Sequence, residues 1–418
     1  MEYNPVDTFI YNQTKTGKLT GDEIVTIPHP MIVGLMNMVA ATKPAMLSLV
    51  SKAANVIYRN PTSVFLTARV KDILWDGVVI NCTVTDFAAK AVCTQLKTEA
   101  KELKHIGEND LSFALLGPKN GTEGKRLKVR RGSVDHRFVG SIIEYDGKEE
   151  MEAWSTTECN KYHGSDGTIF PPLMTPEEGL WSFAPDLCRS MKAVYVGDTK
   201  YLGVKVRKYV AGLGDMSANE DEKCYCPTPD TCMSKGLMDL AKCGQPVIAS
   251  LPHFYDTNGE YVRQVKGMRP SAEQHSIEIL FEGMTGSPVQ AFKRLQFSIP
   301  LHPYAKVPLM KNLPETVIPL VWVEESVSLN MTYVGQIKTM MFVISFVGLM
   351  KWLLLVGSIA GLGVSAYFMY IKRDTIDVTP TPKIKPEENG KTSVISLVNP
   401  GFVNDDGTTV LDNHRQKF

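Results

Sequence analysis

Residues 352–371 contain no charged side chain, and Lys372-Arg373 follows at once. As a helix rising about 1.5 Å per residue, that run spans about 30 Å, the thickness of a bilayer's hydrocarbon core. The basic pair predicts a cytoplasmic flank. All 8 cysteines precede the run, as do the Asn-x-Ser/Thr sequons at Asn12, Asn81, Asn120 and Asn330. Glycans and disulfides belong to the lumenal or extracellular side. The order therefore predicts an extracellular domain over 1–338, a membrane-proximal segment and transmembrane helix over 339–371 with its core at 352–371, and a cytoplasmic tail over 372–418. A run this long disfavours the competing reading, a buried core helix. Lys351 sets the register. In a span over 340–360 it would sit mid-membrane, at a cost of about 2.5–3.5 kcal/mol. In a span starting at Trp352 it can reach the headgroups. Trp352 at one end, with Tyr367 and Tyr370 at the other, fits interfacial anchoring.

The chain has 418 residues and a formal net charge of zero. It has no basic domain to suggest a nucleic-acid partner. The part before the membrane run is long enough for one large domain or two. An even cysteine count outside the cell suggests up to about four disulfides. The intracellular alternative, a zinc site, lacks the paired C-x-x-C spacing. Met1-Glu2-Tyr3-Asn4-Pro5 has neither the basic start nor the apolar stretch of an export signal. The expectation is that the natural beginning lies upstream, as a signal-anchor helix.

Between residues 30 and 58 the pattern is helical. Met31, Leu35, Met38 and Val39 recur at helical spacing, as do Met46, Leu49, Val50, Ala53 and Ile57; Lys43-Pro44 breaks the stretch in two. Such stripes read as core faces. A methionine-rich, lipid-contacting surface is the alternative. Beyond Pro61 strands dominate. Ile277, Ile279 and Phe281 alternate with Glu278 and Glu282, a loop follows at Gly283-Met-Thr-Gly286, and Val289, Ala291, Leu295, Phe297, Ile299 and Leu301 continue as a long partner strand. The fold class is α+β, dominated by antiparallel sheet, with a helical cap near the start. The segment 374–418 is poor in aromatics and rich in Pro, Thr, Asn and Asp, which predicts a disordered tail.

Catalytic patterns are missing. No G-x-S-x-G elbow or H-E-x-x-H occurs, and Gly117-Pro-Lys-Asn-Gly-Thr-Glu-Gly-Lys125 fails the phosphate-loop spacing. His163-Gly-Ser-Asp-Gly167 holds Ser, His and Asp, but adjacent residues cannot form an oriented triad, so it reads as a turn. Gly357-Ser-Ile-Ala-Gly361 would let two membrane helices approach closely. Cys224-Tyr-Cys226-Pro-Thr-Pro-Asp-Thr-Cys232 is too crowded for every thiol to pair with its neighbour. In a strand the two C-x-C side chains point to opposite faces and so bond to different partners.

At these residues the chain resembles the scavenger receptor class B family, which includes fatty-acid translocase. The resemblance is carried by Cys224-Tyr-Cys226-Pro, Lys235-Gly-Leu-Met-Asp-Leu240 and Ala249-Ser-Leu-Pro-His-Phe-Tyr255. Gly164-Ser-Asp-Gly-Thr-Ile-Phe-Pro-Pro172, Ser182-Phe-Ala-Pro-Asp-Leu-Cys-Arg189 and Leu309-Met-Lys-Asn-Leu-Pro314 agree with it. It covers most of residues 1–371 and is closest to the insect sensory neuron membrane branch. It implies an antiparallel β-barrel-like ectodomain with short helical insertions and a lipophilic tunnel, anchored by two membrane helices. It also implies the disulfides Cys159–Cys224, Cys188–Cys243 and Cys226–Cys232; Cys82 and Cys93 fall outside that set and either pair together or stay unpaired. The first membrane helix and the start of the ectodomain have no counterpart here, and the tail is longer than is usual.

The resemblance further implies a plasma-membrane receptor that is not an enzyme and needs no cofactor or metal. Such a receptor captures lipophilic ligands and passes them to membrane lipid, in this branch lipid-derived pheromones to an odorant receptor complex. A scavenger or adhesion receptor for lipoprotein or protein particles is the alternative. Arg59, with Lys52 before it, matches a basic position near the family's apical entrance. There a cation could hold a lipid's carboxylate, or simply face solvent. Among the sequons, Asn330 lies close to the membrane, and Asn81 adjoins Cys82, where folding competes with modification.

Overall fold

A computed structural model of the protein describes residues 1–372 apart from Lys101 and Pro229. Residues 373–418, where the disordered tail was expected, lie outside the described residues. The chain divides into one compact unit, Met1–Ile344, and a second from Ser345 onward.

The first unit is built on a large antiparallel sheet. Its strands in chain order are β1 (Leu180–Ala184), β2 (Arg189–Tyr201), β3 (Val204–Ala211), β4 (Leu237–Asp239), β5 (Ile248–Ser250), β6 (Ile277–Glu282), β7 (Ser287–Leu301) and β8 (Thr316–Ser328). They run in the order β4-β5-β7-β6-β3-β2-β1, with β8 also on β7. The 15-residue β7 is the hub. One of its edges takes β8 along nearly its whole length; the other takes β6 at its start and β5 near its end. The expected hairpin of residues 277–301 is therefore present, with Glu278 opposite Phe292 and Glu282 opposite Ser287.

β7 is buried on both faces. Val289, Leu295, Ile299 and Leu301 are enclosed, and so are Gln296 and Ser298 between them. A buried amide needs partners. Gln296 Nε2 donates to Ser250 Oγ at 3.2 Å and Ser298 Oγ at 3.3 Å, and its Oε1 accepts from the His253 amide at 2.9 Å. The main core packs Phe170, Tyr209 and Phe281 edge to face, with centroids 5.9 Å apart.

The break at Pro44 gives two helices, α1 (Pro30–Thr42) and, after a 3-10 turn, α2 (Leu47–Ile57). Val33, Met36, Val39, Leu47, Val50 and Ala54 pack on Ile299, Leu301, Val307 and Met310. Asn37 Nδ2 locks the cap by donating to Pro300 O at 2.8 Å. The buried stripe only partly follows the periodicity. Met38, Met46 and Leu49 are exposed, and Ile32, Val33 and Met36 are buried in place of Met31 and Leu35. α1 is apolar almost all round, so spacing alone cannot pick its inward face; on α2, where Ser48, Lys52 and Asn55 mark a polar side, the expected Val50, Ala53 and Ile57 are buried.

Three disulfides are formed: Cys82–Cys93, Cys159–Cys224 and Cys226–Cys232. The bridge expected between Cys188 and Cys243 is not formed here. Cys188 and Cys243 are thiols, joined by a side-chain hydrogen bond. That bond lowers the Cys188 thiol's pKa and raises that of Cys243. Two sulfurs in hydrogen-bond contact become a disulfide only when an oxidant removes both hydrogens.

The C-terminal helix α3 (Met331–Lys372) has 42 residues and is long and apolar enough to cross a membrane. It begins ahead of the expected boundary at 339. Asn330 starts it, its Oδ1 accepting from the amides of Thr332 at 3.0 Å and Tyr333 at 3.2 Å.

Candidate functional site

The helical cap carries the two cations singled out in the sequence. On α2 the residues Val50, Ala53, Ala54 and Ile57 face inward at i, i+3, i+4 and i+7 spacing. The opposite face presents Leu49, Lys52 and Val56, and Met38 and Met46 add two exposed thioethers to the cap surface. These exposed side chains make a partly apolar surface, while Val39, Val50, Ala53 and Ile57 of the same stripes are core. Lys52 stands within that surface, three residues after Leu49 and four before Val56.

Arg59 lies past the helix end. Its φ of 57° and that of Asn60, 55°, turn the chain into the left-handed region. Its exposed guanidinium is close enough to influence the Asp110 carboxyl. Burial opposes ionisation of Asp110. The amides of Cys82 at 2.8 Å and Thr83 at 2.9 Å, the Thr83 hydroxyl at 3.0 Å and the Arg59 charge outweigh it and lower its pKa. Asp110 is a partner that spacing could not have found, since it is distant in sequence. The Cys82–Cys93 bridge holds this turn against the helix of residues 87–99, which packs on Ala53 and Ile57. Lys52 is thus on the exposed face of α2 in an apolar surround, and Arg59, past its end, lies near the Asp110 carboxylate.

His29 caps α1, its Nδ1 accepting from the Ile32 amide at 3.4 Å, with its ring edge-on to Tyr58 at 4.7 Å. The sequence reading passed over it. Burial holds its pKa down at about 4, below the ordinary 6.5. As pH falls below 6.5 the unfolded chain binds a proton that the folded one refuses until about 4, so stability drops across that window and is unaffected above it. The full loss is about 3 kcal/mol. His29→Asn keeps a capping oxygen but cannot titrate. Denaturant titrations at pH 7 and pH 4 are expected to show a smaller acid loss in this variant than in the parent.

The sequons sit at turns and element ends. Asn12, Asn120 and Asn330 are exposed and Asn81 is half-buried. Asn12 Oδ1 accepts from the Lys15 amide at 3.2 Å and Asn120 Oδ1 from the Phe9 amide at 2.7 Å. In both, the side-chain oxygen carries the contact. Among the described residues, no group of three or more His, Cys, Asp or Glu is placed to hold a metal ion.

The chain is 41% identical over 392 residues to sensory neuron membrane protein 1 of Apis mellifera, covering 93% of this chain and 75% of that protein. It is 40% identical over 398 residues to the protein of the same name from Plutella xylostella, covering 92% and 75%. The Pediculus humanus subsp. corporis protein of that name is 38% identical over 410 residues, covering 95% and 79%. Residues 1–369 match the family model described as the CD36 family. A match of that extent, with relatives this similar, shows that the chain belongs to the CD36 family.

Proposed function

We propose that the chain is a non-enzymatic receptor of the plasma membrane. It captures lipophilic ligands outside the cell and delivers them to the bilayer, in particular lipid-derived pheromones to an odorant receptor there. The observation that carries this reading is the likeness, over 92–95% of the chain, to proteins named for sensory neuron membranes. The apolar helix α3 supplies the anchor, and the exposed Met38, Met46, Leu49 and Val56 supply a surface for an aliphatic ligand. Each methylene removed from water contributes about 0.8 kcal/mol, so a long chain needs no strong polar contact to bind. A lipophilic path through the sheet, glycans at the sequons, an oxidised Cys188–Cys243 pair and a cytoplasmic tail belong to the same proposal. So does the role of Lys52 and Arg59 in holding a ligand's polar head.

The exposed cap also favours a second reading, a scavenger or adhesion receptor that binds lipoprotein or protein particles there. Fluorescent fatty-acid binding to the full chain tests the first. The double variant Lys52→Ala/Arg59→Ala is expected to weaken a carboxylate ligand about tenfold, the value of one charge-assisted hydrogen bond, and to leave a matching hydrocarbon unchanged. Equal affinity for both ligands in parent and variant would remove the two cations from the site. Particle binding without any fatty-acid binding would favour the second reading.

A further inference from the structure

We propose that a cleft beside β8 binds a neutral sugar ring. Trp322 and Glu324 stand two residues apart on β8, so they leave the strand on one face. Arg294 of β7 lies directly opposite Glu324, and Gln296 directly opposite Trp322. His253 and His275, with Arg269 and Glu273, border the same place and close an open cleft of about 560 Å³. That size falls among small-molecule sites, which run from roughly 300 to 1,000 Å³. All of these residues lie in the compact unit Met1–Ile344.

The two imidazoles are stacked, with centroids 4.4 Å apart and planes 9° from parallel. Each is held through Nδ1. The Arg269 amide donates to His253 at 3.0 Å and the Ser271 amide to His275 at 2.9 Å. A neutral imidazole carries one ring hydrogen, so an Nδ1 that accepts leaves that hydrogen on Nε2. Burial, with the neighbouring His253 and Arg294 charges, lowers the pKa of His275 and favours this neutral form. His275 is 4% exposed, yet among the described residues neither Nε2 has a hydrogen-bond partner. His253 reaches its position at a φ of 56°, a conformation that residues other than glycine seldom adopt. The Gln296 Oε1 that accepts its amide keeps it there.

The cleft has no excess of charge to offer an ion. Arg294 is engaged: its Nε donates to Glu324 at 2.6 Å, and its Nη1 to the carbonyls of Glu273 at 3.1 Å and Ser276 at 3.0 Å. The Arg269 guanidinium and the Glu273 carboxylate remain, one of each sign, and among the described residues neither is in an ion pair. A cation or an anion would meet a like charge here. A sugar hydroxyl both donates and accepts, so it can use the carboxylate and the Nε2–H groups together. Hydrogen bonds to charged groups are the stronger kind. Trp322 supplies an aromatic wall, 45% exposed and nearly perpendicular to the His275 ring at 6.3 Å. The electron-rich face of an indole attracts C–H bonds, and a pyranose presents a row of them on one side. An aliphatic ligand would leave the donors and the carboxylate unmet. A metal does not fit, since among the described residues no group of three or more His, Cys, Asp or Glu is placed to hold one.

Saturation-transfer NMR on the full chain in amphipol, with the methyl glycosides of glucose, galactose, mannose and N-acetylglucosamine, tests this. At least one is expected to bind, with the strongest transfer to its ring C–H protons. Trp322→Ala and Glu273→Gln are each expected to weaken it about tenfold, the value of an aromatic contact or of one charge-assisted hydrogen bond. Both positions are exposed, so the variants are expected to fold as the parent does. Failure of all four glycosides to bind would overturn the proposal, and so would unchanged affinity in either variant. Tighter binding of glucuronate or glucosamine than of methyl glucoside would also overturn it, because charge and not the hydroxyl pattern would then decide. The same sugars at the ends of immobilised glycans identify the source. Retention of the chain there, reversed by the free glycoside, points to a glycan on another glycoprotein, whereas binding of the free glycoside alone points to a free sugar.

Discussion

Replacing Cys159 and Cys224 together by alanine is expected to destabilise the fold about twice as much as replacing Cys226 and Cys232. The two bridges close loops of very different length, with sequence separations of 65 and 6. If a disulfide acts mainly by restricting the unfolded chain, the longer loop is worth about 4 kcal/mol and the shorter about 2 kcal/mol. A typical domain has only about 5–15 kcal/mol in total, so the first loss approaches the limit of folding. Cys159, Cys224 and Cys226 are all enclosed in the main core with Trp154 and Leu213, and Cys232 packs against it. Both variants therefore lose packing, and loop length is what separates them. Guanidinium unfolding of the two double variants, each against the parent, gives the comparison. Equal losses would show that local packing around each bridge, rather than loop length, sets its contribution.

Much of this architecture could be read before any coordinates. The membrane run needed only its missing charges. The hairpin of β6 and β7 was legible because Ile277, Ile279 and Phe281 alternate with glutamates and the partner strand resumes after a glycine-bounded loop. The C-x-C pair illustrates a sound conclusion reached through the wrong local structure. Cys224 and Cys226 do bond to different partners, but Cys224 lies in a 3-10 turn over Glu220–Tyr225 and not in a strand. Chain direction in that turn, rather than pleat alternation, separates the sulfurs. The inward face of α1 was illegible for a different reason: an almost wholly apolar helix carries no polar side to mark its outside. The carboxylate near Arg59 was hidden too. Asp110 meets the Arg59 region through a disulfide-held turn, and no spacing rule connects residues so far apart.

Gly164→Ala is expected to be among the most damaging single substitutions in the chain, whereas Gly167→Ala in the same motif should be mild. Both glycines have positive φ, 78° and 89°, so either alanine meets the left-handed penalty of roughly 1–2 kcal/mol. The space around them differs. A Cβ on Gly164 would lie 1.9 Å from Trp181 O and 2.3 Å from Trp181 C, whereas on Gly167 its nearest neighbour would be Ser182 Cβ at 3.7 Å. The obstacle at Gly164 is backbone, so no rotamer can relieve it and β1 itself must shift. Overpacking of that kind adds about 1–3 kcal/mol. The strand cannot shift without loss, because Ser165 is bonded across it: its amide donates to Trp181 O at 3.2 Å and its carbonyl accepts from Phe183 N at 2.8 Å. Gly164 O also accepts from Ile142 N at 2.9 Å, tying a second sheet to the same point. Thermal unfolding of the two variants should separate them clearly, and similar losses would show that β1 yields to the added methyl at little cost. The His163-Gly-Ser-Asp-Gly167 stretch holds the residue types of a catalytic triad, yet the Ser165 and Asp166 side chains are taken up in structural hydrogen bonds. Ser165 Oγ accepts from the Gly167 amide at 3.1 Å and Asp166 Oδ2 accepts from the Tyr3 hydroxyl at 2.6 Å. A motif that helps to identify the family is thus accounted for by close backbone approach, with its polar side chains spent on architecture.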